Sequence, residues 1–223
     1  MRRNTLPRPD DPGSVDSKNI PSSTGKSPTE TVQPGTGYRM AFNFNSALFK
    51  VLLEYLNPGE EEKVLDMGCS RGFYVKAMED YTRGVIGVDI SEDSLENAVT
   101  PKVEYGDITN LDFTEGSFDK VYSLHTIEHL PNLEQFFSEV ARVLKPGGTA
   151  IIIYPWELFQ GMQAIGAAMR QYRNPLLARK IHLQRLTPKS IVKFTEGTSL
   201  LHIESKLVFA MGIQYLTMFR KES

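Results

Sequence analysis

Two stretches of the chain hold residues whose types and spacing could do chemistry. The first is Val64-Leu65-Asp66-Met67-Gly68-Cys69-Ser70-Arg71-Gly72, where an apolar run ends in a turn of small residues and a helical pattern follows. A strand-turn-helix of this kind aims backbone N–H groups and the positive end of the helix at whatever lies above the strand. Twenty-one residues after Gly68, the run Val85-Ile86-Gly87-Val88-Asp89 ends in a carboxylate, at the place where an acid accepts hydrogen bonds from ribose hydroxyls. Together they predict a nucleoside-bearing ligand. The second stretch is Ser123-Leu124-His125-Thr126-Ile127-Glu128-His129, at the end of a later apolar run.

His125 is the first choice for a general base, because an imidazole with an ordinary pKa near 6.5 suits proton abstraction at neutral pH. The same position would also serve simply to shape a pocket. His129 is a weaker catalytic candidate. His125-x-x-Glu128-His129 has the H-x-x-E-H spacing of one class of zinc peptidases, but a Glu-His pair that caps and packs the turn before Pro131 explains it as well, and no metal is expected. Gly68-Cys69-Ser70-Arg71-Gly72 matches the G-x-S-x-G elbow of α/β-hydrolases, which would make Ser70 a nucleophile. Against that, no His precedes His125 and few structured residues precede the loop. The dinucleotide pattern G-x-G-x-x-G fails at Ser70 and Phe73, and Gly25-Lys26-Ser27 lacks the first glycine of a P-loop, whose place is taken by Ile20.

The elements that must position these residues alternate. Phe44, Leu48, Val51, Leu52 and Tyr55 recur at helical spacing until Asn57-Pro58-Gly59. Strands are predicted over 63–67, 84–89, 103–105, 118–124 and 149–154, with helices over 73–81, 92–99 and 133–144. This rhythm implies a parallel sheet with right-handed crossovers. Two closing runs, 201–209 and 213–219, read as a hairpin through Ala210-Met211-Gly212 that adds an antiparallel strand.

The 223 residues carry 25 basic and 27 acidic side chains, a formal charge of -2, which excludes a uniformly basic nucleic-acid binder. A single Cys builds neither a disulfide framework nor a Cys-rich zinc site, and together with the lack of an apolar leader it favours a cytoplasmic setting. Residues 1–36, rich in proline and poor in apolar side chains, read as a disordered tail, and residues 37–223 as one domain.

The order of motifs resembles the class I S-adenosylmethionine (SAM) dependent methyltransferases, of the small-molecule type 11 group. VLDMGCSRG is similar to that family's glycine-rich motif, VIGVDIS to its acidic second motif and Tyr105-Gly106-Asp107-Ile108 to its third. Phe118 to Leu130 is similar to its fourth motif, and Leu144-Lys145-Pro146-Gly147-Gly148 to the turn before its fifth strand. Ser70 stands where the family has its middle glycine. The resemblance implies an α/β, Rossmann-like seven-stranded mixed sheet of order 3-2-1-4-5-7-6, its last strand antiparallel, with helices on both faces. It also implies SAM as methyl donor. Asp66, Gly68 and Gly72 would border its methionine half, Asp89 the ribose, and Asp107 with Ile108 the adenine, with Cys69, Ile90 and Ser123 as further cofactor-binding residues.

Between the fifth strand and Pro188 lies a predicted substrate cap, residues 155–187. Trp156, Phe159, Met162, Ile165, Met169 and Tyr172 fall on one helical face, read first as a face packed on the core. From Leu158 to Thr195 there is no acidic residue, against seven basic ones: Arg170, Arg173, Arg179, Lys180, Arg185, Lys189 and Lys193. That asymmetry suits an anionic or lipid-like acceptor, or peripheral contact with an acidic membrane surface. Tyr154, Trp156, Phe159, Arg170 and Arg173 are the expected substrate-binding residues. The expected reaction is methyl transfer to oxygen or carbon, less so nitrogen, of such a small molecule, with no nucleic-acid partner. The rival readings are a SAM-binding sensor without turnover and a hydrolase using Ser70.

Overall fold

A computed structural model of the protein describes residues 44–210 and 212–223. The tail expected over residues 1–36, the Gly25-Lys26-Ser27 run and Met211 of the hairpin turn lie outside the described residues.

The first helix, α1 (Ser46–Leu56), begins where the Asn45 side chain accepts from Leu48 N. It ends where Asn57 turns left-handed at φ 42° and donates to Leu53 O. Behind it follow β1 (Lys63–Met67), α2 (Phe73–Met78), β2 (Gly84–Asp89), α3 (Glu92–Glu96), β3 (Val103–Tyr105), β4 (Phe118–Leu124), α4 (Leu133–Val143) and β5 (Leu144–Pro155). After α5 (Ile165–Tyr172) and α6 (Pro188–Phe194), the hairpin of β6 (Leu200–Phe209) and β7 (Ile213–Lys221) closes the chain. The sheet order is β3-β2-β1-β4-β5-β7-β6. β1 to β5 are mutually parallel, and β7 runs antiparallel to both of its neighbours. The predicted order and the odd strand are both present.

Strand periodicity places the core. Val64, Tyr122, Ile151 and Ile153 point to the face covered by Leu48, Leu52 and Leu56 of α1, whereas Leu65, Val121, Ala150 and Ile152 point to the face covered by Phe136, Phe137 and Val140 of α4. Both faces of the central strands are therefore buried, which is why they read as continuous apolar runs rather than as alternation.

Three boundaries differ from expectation. α2 stops at Met78 and α3 at Glu96, earlier than the apolar pattern indicates. Leu144-Lys145-Pro146-Gly147-Gly148, expected as a turn, forms the start of β5. The register with β4 slips between Phe118 and Lys120 to admit it. A Cβ on Gly148 would lie 2.9 Å from Lys145 O and 3.0 Å from Asp119 O, so the bulge needs glycine. Lys145 Nζ fastens it by donating to both Asp119 oxygens at 2.7 Å.

The segment after β5 departs furthest from its prediction. No single helix runs from Trp156. The chain makes one 3-10 turn over Met162–Ala164, then α5, then a second 3-10 turn over Pro175–Lys180. Ala164, Ala167, Ala168, Ala178 and Ile181 pack together there as a small apolar cluster. The large apolar residues expected to pack inward, Phe159, Ile165, Met169 and Tyr172, are exposed instead, with Leu158 and Leu176 beside them.

Candidate cofactor and acceptor sites

The glycine loop is a taut structure. Gly68, Ser70 and Gly72 all take positive φ, at 92°, 49° and 74°. Gly68 N and Cys69 N both donate to Val88 O at 2.9 and 3.1 Å, and Ser70 N donates to Asp89 Oδ2 at 2.7 Å. Asp89 Oδ1 accepts from Ser91 N at 2.8 Å. The acid therefore ties the loop after β1 to the start of α3, and each of its oxygens retains a second lone pair for a ribose hydroxyl. The loop residues lie close to what covers them: a Cβ on Gly68 would come 2.3 Å from Thr126 Oγ1, and one on Gly72 2.7 Å from Val103 Cγ1.

Asp66, two residues before the loop, is 2% exposed, and burial raises its carboxyl to about 8. The Tyr122 hydroxyl offsets part of that rise and the nearby Asp89 adds to it. A buried acid so disposed is stabilised in its charged form by a cation, and a sulfonium or ammonium group beside it would supply one. Burial drives the Cys69 thiol far above its usual range, so it is a packing residue rather than a nucleophile.

The other cofactor candidates divide. Ile90, beside Asp89, is 59% exposed and available to a ligand. Asp107 is exposed at its turn, its Oδ1 accepting from Thr109 N and Oγ1 at 2.8 and 2.7 Å. Ile108 is buried in the core, and Ser123 Oγ donates to Met67 O at 2.7 Å. Ser123 is thus a strut between β4 and β1.

At the carboxyl end of β4, His125 sits at φ 53°. Its Nε2 donates to Gln214 Oε1 at 3.1 Å, and its Nδ1 lies 3.5 Å from Glu128 Oε1. Both ring nitrogens are engaged within the protein, so the base expected here is held as a bridge between β7 and the 3-10 turn of Ile127–His129. His129 Nδ1 donates to Ile181 O at 2.7 Å, while its Nε2 lies 3.9 Å from Glu128 Oε1. Burial pushes the His129 imidazole below its usual range, against the pull of Glu128. Burial works to raise the Glu128 carboxyl, yet the surrounding imidazoles of His125, His129 and His182 hold it below the ordinary range.

Two members of this cluster carried no signal in the sequence. Glu157 and His182 are both buried, and His182 Nδ1 donates to Glu157 Oε1 at 2.8 Å. Glu157 also accepts from Gly161 N and Gln163 N, at 3.0 and 2.9 Å, fixing the turn that opens the segment. The only hint was that Glu157 is the last acid before a long stretch without one.

Of the substrate candidates, Tyr154 is fully buried, its hydroxyl 3.0 Å from Thr217 Oγ1, which makes it a core residue of β5. Trp156 is half-buried, with its backbone N donating to Ile213 O at 3.2 Å. Phe159, Arg170 and Arg173 are exposed, and Arg173 closes α5 at φ 52°. The structure does not bring the two arginines to the glycine loop by any contact.

Residues 65–152 match the family described as methyltransferase domain. The stretch runs from β1 to β5 and so contains the loop, Asp89 and the His125–His129 run. Over this stretch the chain is similar to methyltransferase domains. The chain is 36% identical over 104 residues to the sterol 24-C-methyltransferase of Saccharomyces cerevisiae, covering 42% of this chain and 27% of the relative. It is 36% identical over 108 residues to the 2-methyl-6-phytyl-1,4-hydroquinone methyltransferase of Synechocystis, covering 45% and 33%. The aligned part thus spans about a third of the curated relatives it matches. In fold, the chain superposes on the geranyl diphosphate C-methyltransferase of Streptomyces coelicolor, solved with Mg2+, geranyl diphosphate and S-adenosyl-L-homocysteine. There the TM-score is 0.61 at 16% identity, covering 80% of this chain and 77% of that one. No helix among the described residues is long and apolar enough to cross a membrane.

Proposed function

We infer that the protein transfers the methyl group of SAM to a carbon or oxygen of a lipid-like small molecule. The observation that carries this reading is the pairing of Asp89 with the glycine loop, next to the buried Asp66. Bound SAM would supply an electrophilic methyl on a sulfonium. Asp89 would hold the ribose, Asp66 would face positive charge, and the tight loop would keep the cofactor in one pose. Methyl transfer is an in-line displacement, so the chain's main task is to seat the acceptor about 3 to 3.5 Å from the methyl and to exclude water.

A lipid-like acceptor is supported by the segment after β5. There Leu158, Phe159, Met169 and Leu176 expose apolar surface among basic residues, in a stretch without acids. Such a surface suits the tail and anionic head of an amphiphile, or the edge of a membrane that holds one. The names of the sterol and hydroquinone methyltransferase relatives point the same way.

The test is incubation of the full chain with methyl-labelled SAM and a panel of prenylated phenols, sterols and acidic lipids, followed by solvent extraction. Label in the organic phase supports the reading. Tight S-adenosylhomocysteine binding by calorimetry, with no label transferred to any acceptor class, would favour a sensor. Absence of binding, with an esterase activity lost in Ser70→Ala, would favour the hydrolase.

A further inference from the structure

We propose that Glu128, His129 and His182 form a binding site for one divalent transition-metal ion, of which zinc is the natural probe. One ligand atom from each of the three lies within 4.8 Å of the others, and Glu128 Oε1 is 3.9 Å from His129 Nε2. The set of two imidazoles and one carboxylate is what zinc and neighbouring metals take while keeping a position open. The cluster joins two parts of the chain: the 3-10 turn after β4 supplies Glu128 and His129, and the segment after β5 supplies His182.

Three independent features favour an ion over mere packing. Glu128 is 2% exposed and its Oε2 has no hydrogen-bond partner among the described residues. Left so, a buried carboxylate oxygen is costly, and a cation is the partner that would satisfy it. Both imidazoles are also oriented as metal ligands are. His129 Nδ1 donates to the Ile181 carbonyl and His182 Nδ1 to the Glu157 carboxylate, so each ring keeps its proton on Nδ1 and presents Nε2 as the lone-pair nitrogen. A carboxylate or carbonyl behind the ring is the arrangement that fixes the tautomer of a ligating histidine and raises its basicity. Lastly, the two rings are neighbours, with centroids 5.2 Å apart at 66°.

The 3.9 Å edge between Glu128 and His129 is longer than the roughly 3.3 Å edge of a tetrahedron with bonds of about 2.0 to 2.1 Å. The ion would therefore draw the Glu128 and His129 side chains of the turn after β4 closer together, with His182 reaching it from the segment after β5. Bound there, it would tie the two elements together and offer its open position to an oxygen of the acceptor.

The inference is independent of the acceptor's identity and is tested without activity. The full chain is stripped with a chelator and titrated with zinc chloride by calorimetry, and with cobalt(II) by visible absorption. The expected result is one ion per chain, with the intense visible bands of a four- or five-coordinate cobalt site. Glu128→Gln and His182→Gln should each weaken zinc binding at least tenfold, and Glu157→Gln by about ten- to a hundredfold. His202→Ala should leave it unchanged, since that imidazole is exposed on β6, where it meets Ser205 and Phe219 rather than the cluster. Circular dichroism identifies any variant that fails to fold, and the isosteric Glu128→Gln then carries the test. The proposal is overturned if zinc does not bind stoichiometrically, or if it binds equally well to folded Glu128→Gln and His182→Gln.

Discussion

Asp89 Oδ2 accepts the backbone N–H of Ser70 at 2.7 Å, and Ser70 is the residue standing in the left-handed region between Gly68 and Gly72. One carboxylate thus fixes the backbone of the loop and, on the function proposed above, would also hold the ribose of the ligand. Removing it should cost on both counts. Asp89→Ala is expected to weaken S-adenosylhomocysteine binding by about ten- to a hundredfold, the equivalent of roughly 1.5 to 3 kcal/mol for hydrogen bonds to a charged group. Calorimetry on the folded variant measures it, and unchanged affinity would take Asp89 out of the cofactor site.

Asp66 has an unusual pH signature. Its folded carboxyl titrates at about 8 because of burial, whereas an unfolded chain gives up that proton near 3.8. Between those values the folded state binds the extra proton, so the group's contribution to stability declines as pH rises from about 4 to 8. Asp66→Asn should remove that decline. The ligand-free variant should melt a few degrees above the parent at pH 8, with a much smaller gain at pH 5. The parent's affinity for SAM should also rise with pH through about 8, and the variant's should not. A scanning-fluorimetry series across pH that shows parallel curves for the two proteins would refute this account.

Gly68→Ala places a methyl group 2.3 Å from Thr126 Oγ1 at a φ of 92°. It is expected to destabilise the domain by about 1 to 3 kcal/mol through overpacking, with added backbone strain. Urea denaturation of Gly68→Ala with Thr126→Gly should recover the steric part and leave the strain. An additive pair of effects would show that Thr126 does not cover the loop.

Replacing Arg170, Arg173 and Arg179 with Gln should raise the acceptor KM while leaving cofactor affinity unchanged. These side chains belong to the segment after β5, whereas the loop follows β1 and Asp89 ends β2, with β4 standing between those strands and β5 in the sheet order. Because exposed charges act through a screened field, added salt should reproduce part of the defect in the parent. Loss of SAM binding in the triple variant would assign the segment a structural role instead.

β1, β2 and β3 were legible in the sequence because each ends at a local mark, before Gly68, in Asp89 and before Gly106, and β4 because Phe118, Val121, Tyr122 and Leu124 set it off; all four span the expected residues. The loop and Asp89 were legible for the same reason: their signal is local. The segment after β5 was not. Its large apolar residues have helical spacing, but Gly161, at φ 82° and with no room for a Cβ, which would lie 2.7 Å from the Ala178 carbonyl carbon, breaks the helix before Ile165. Periodicity reports that a face is apolar, not which way it turns, and here alanine supplies the buried side. The setting of His125 was hidden for a different reason. Gln214, which holds its ring, lies 89 residues away and belongs to a strand whose approach only the folded sheet reveals. Glu157 and His182 are likewise joined across 25 residues with no shared pattern.

The seam of Ala164, Ala167, Ala168, Ala178 and Ile181 fits closely but buries little apolar surface, so each contact contributes less than a leucine in the same place would. Amide protons of α5 should therefore exchange through openings smaller than global unfolding, as one cooperative unit, while those of β4 and β5 are protected to the full stability of the domain. Hydrogen exchange read by mass spectrometry would resolve the two. Each opening would loosen His182 and Ile181 from the far side of Glu128 and His129, so a ligand that engages this cluster should slow exchange across the whole of α5 without touching it.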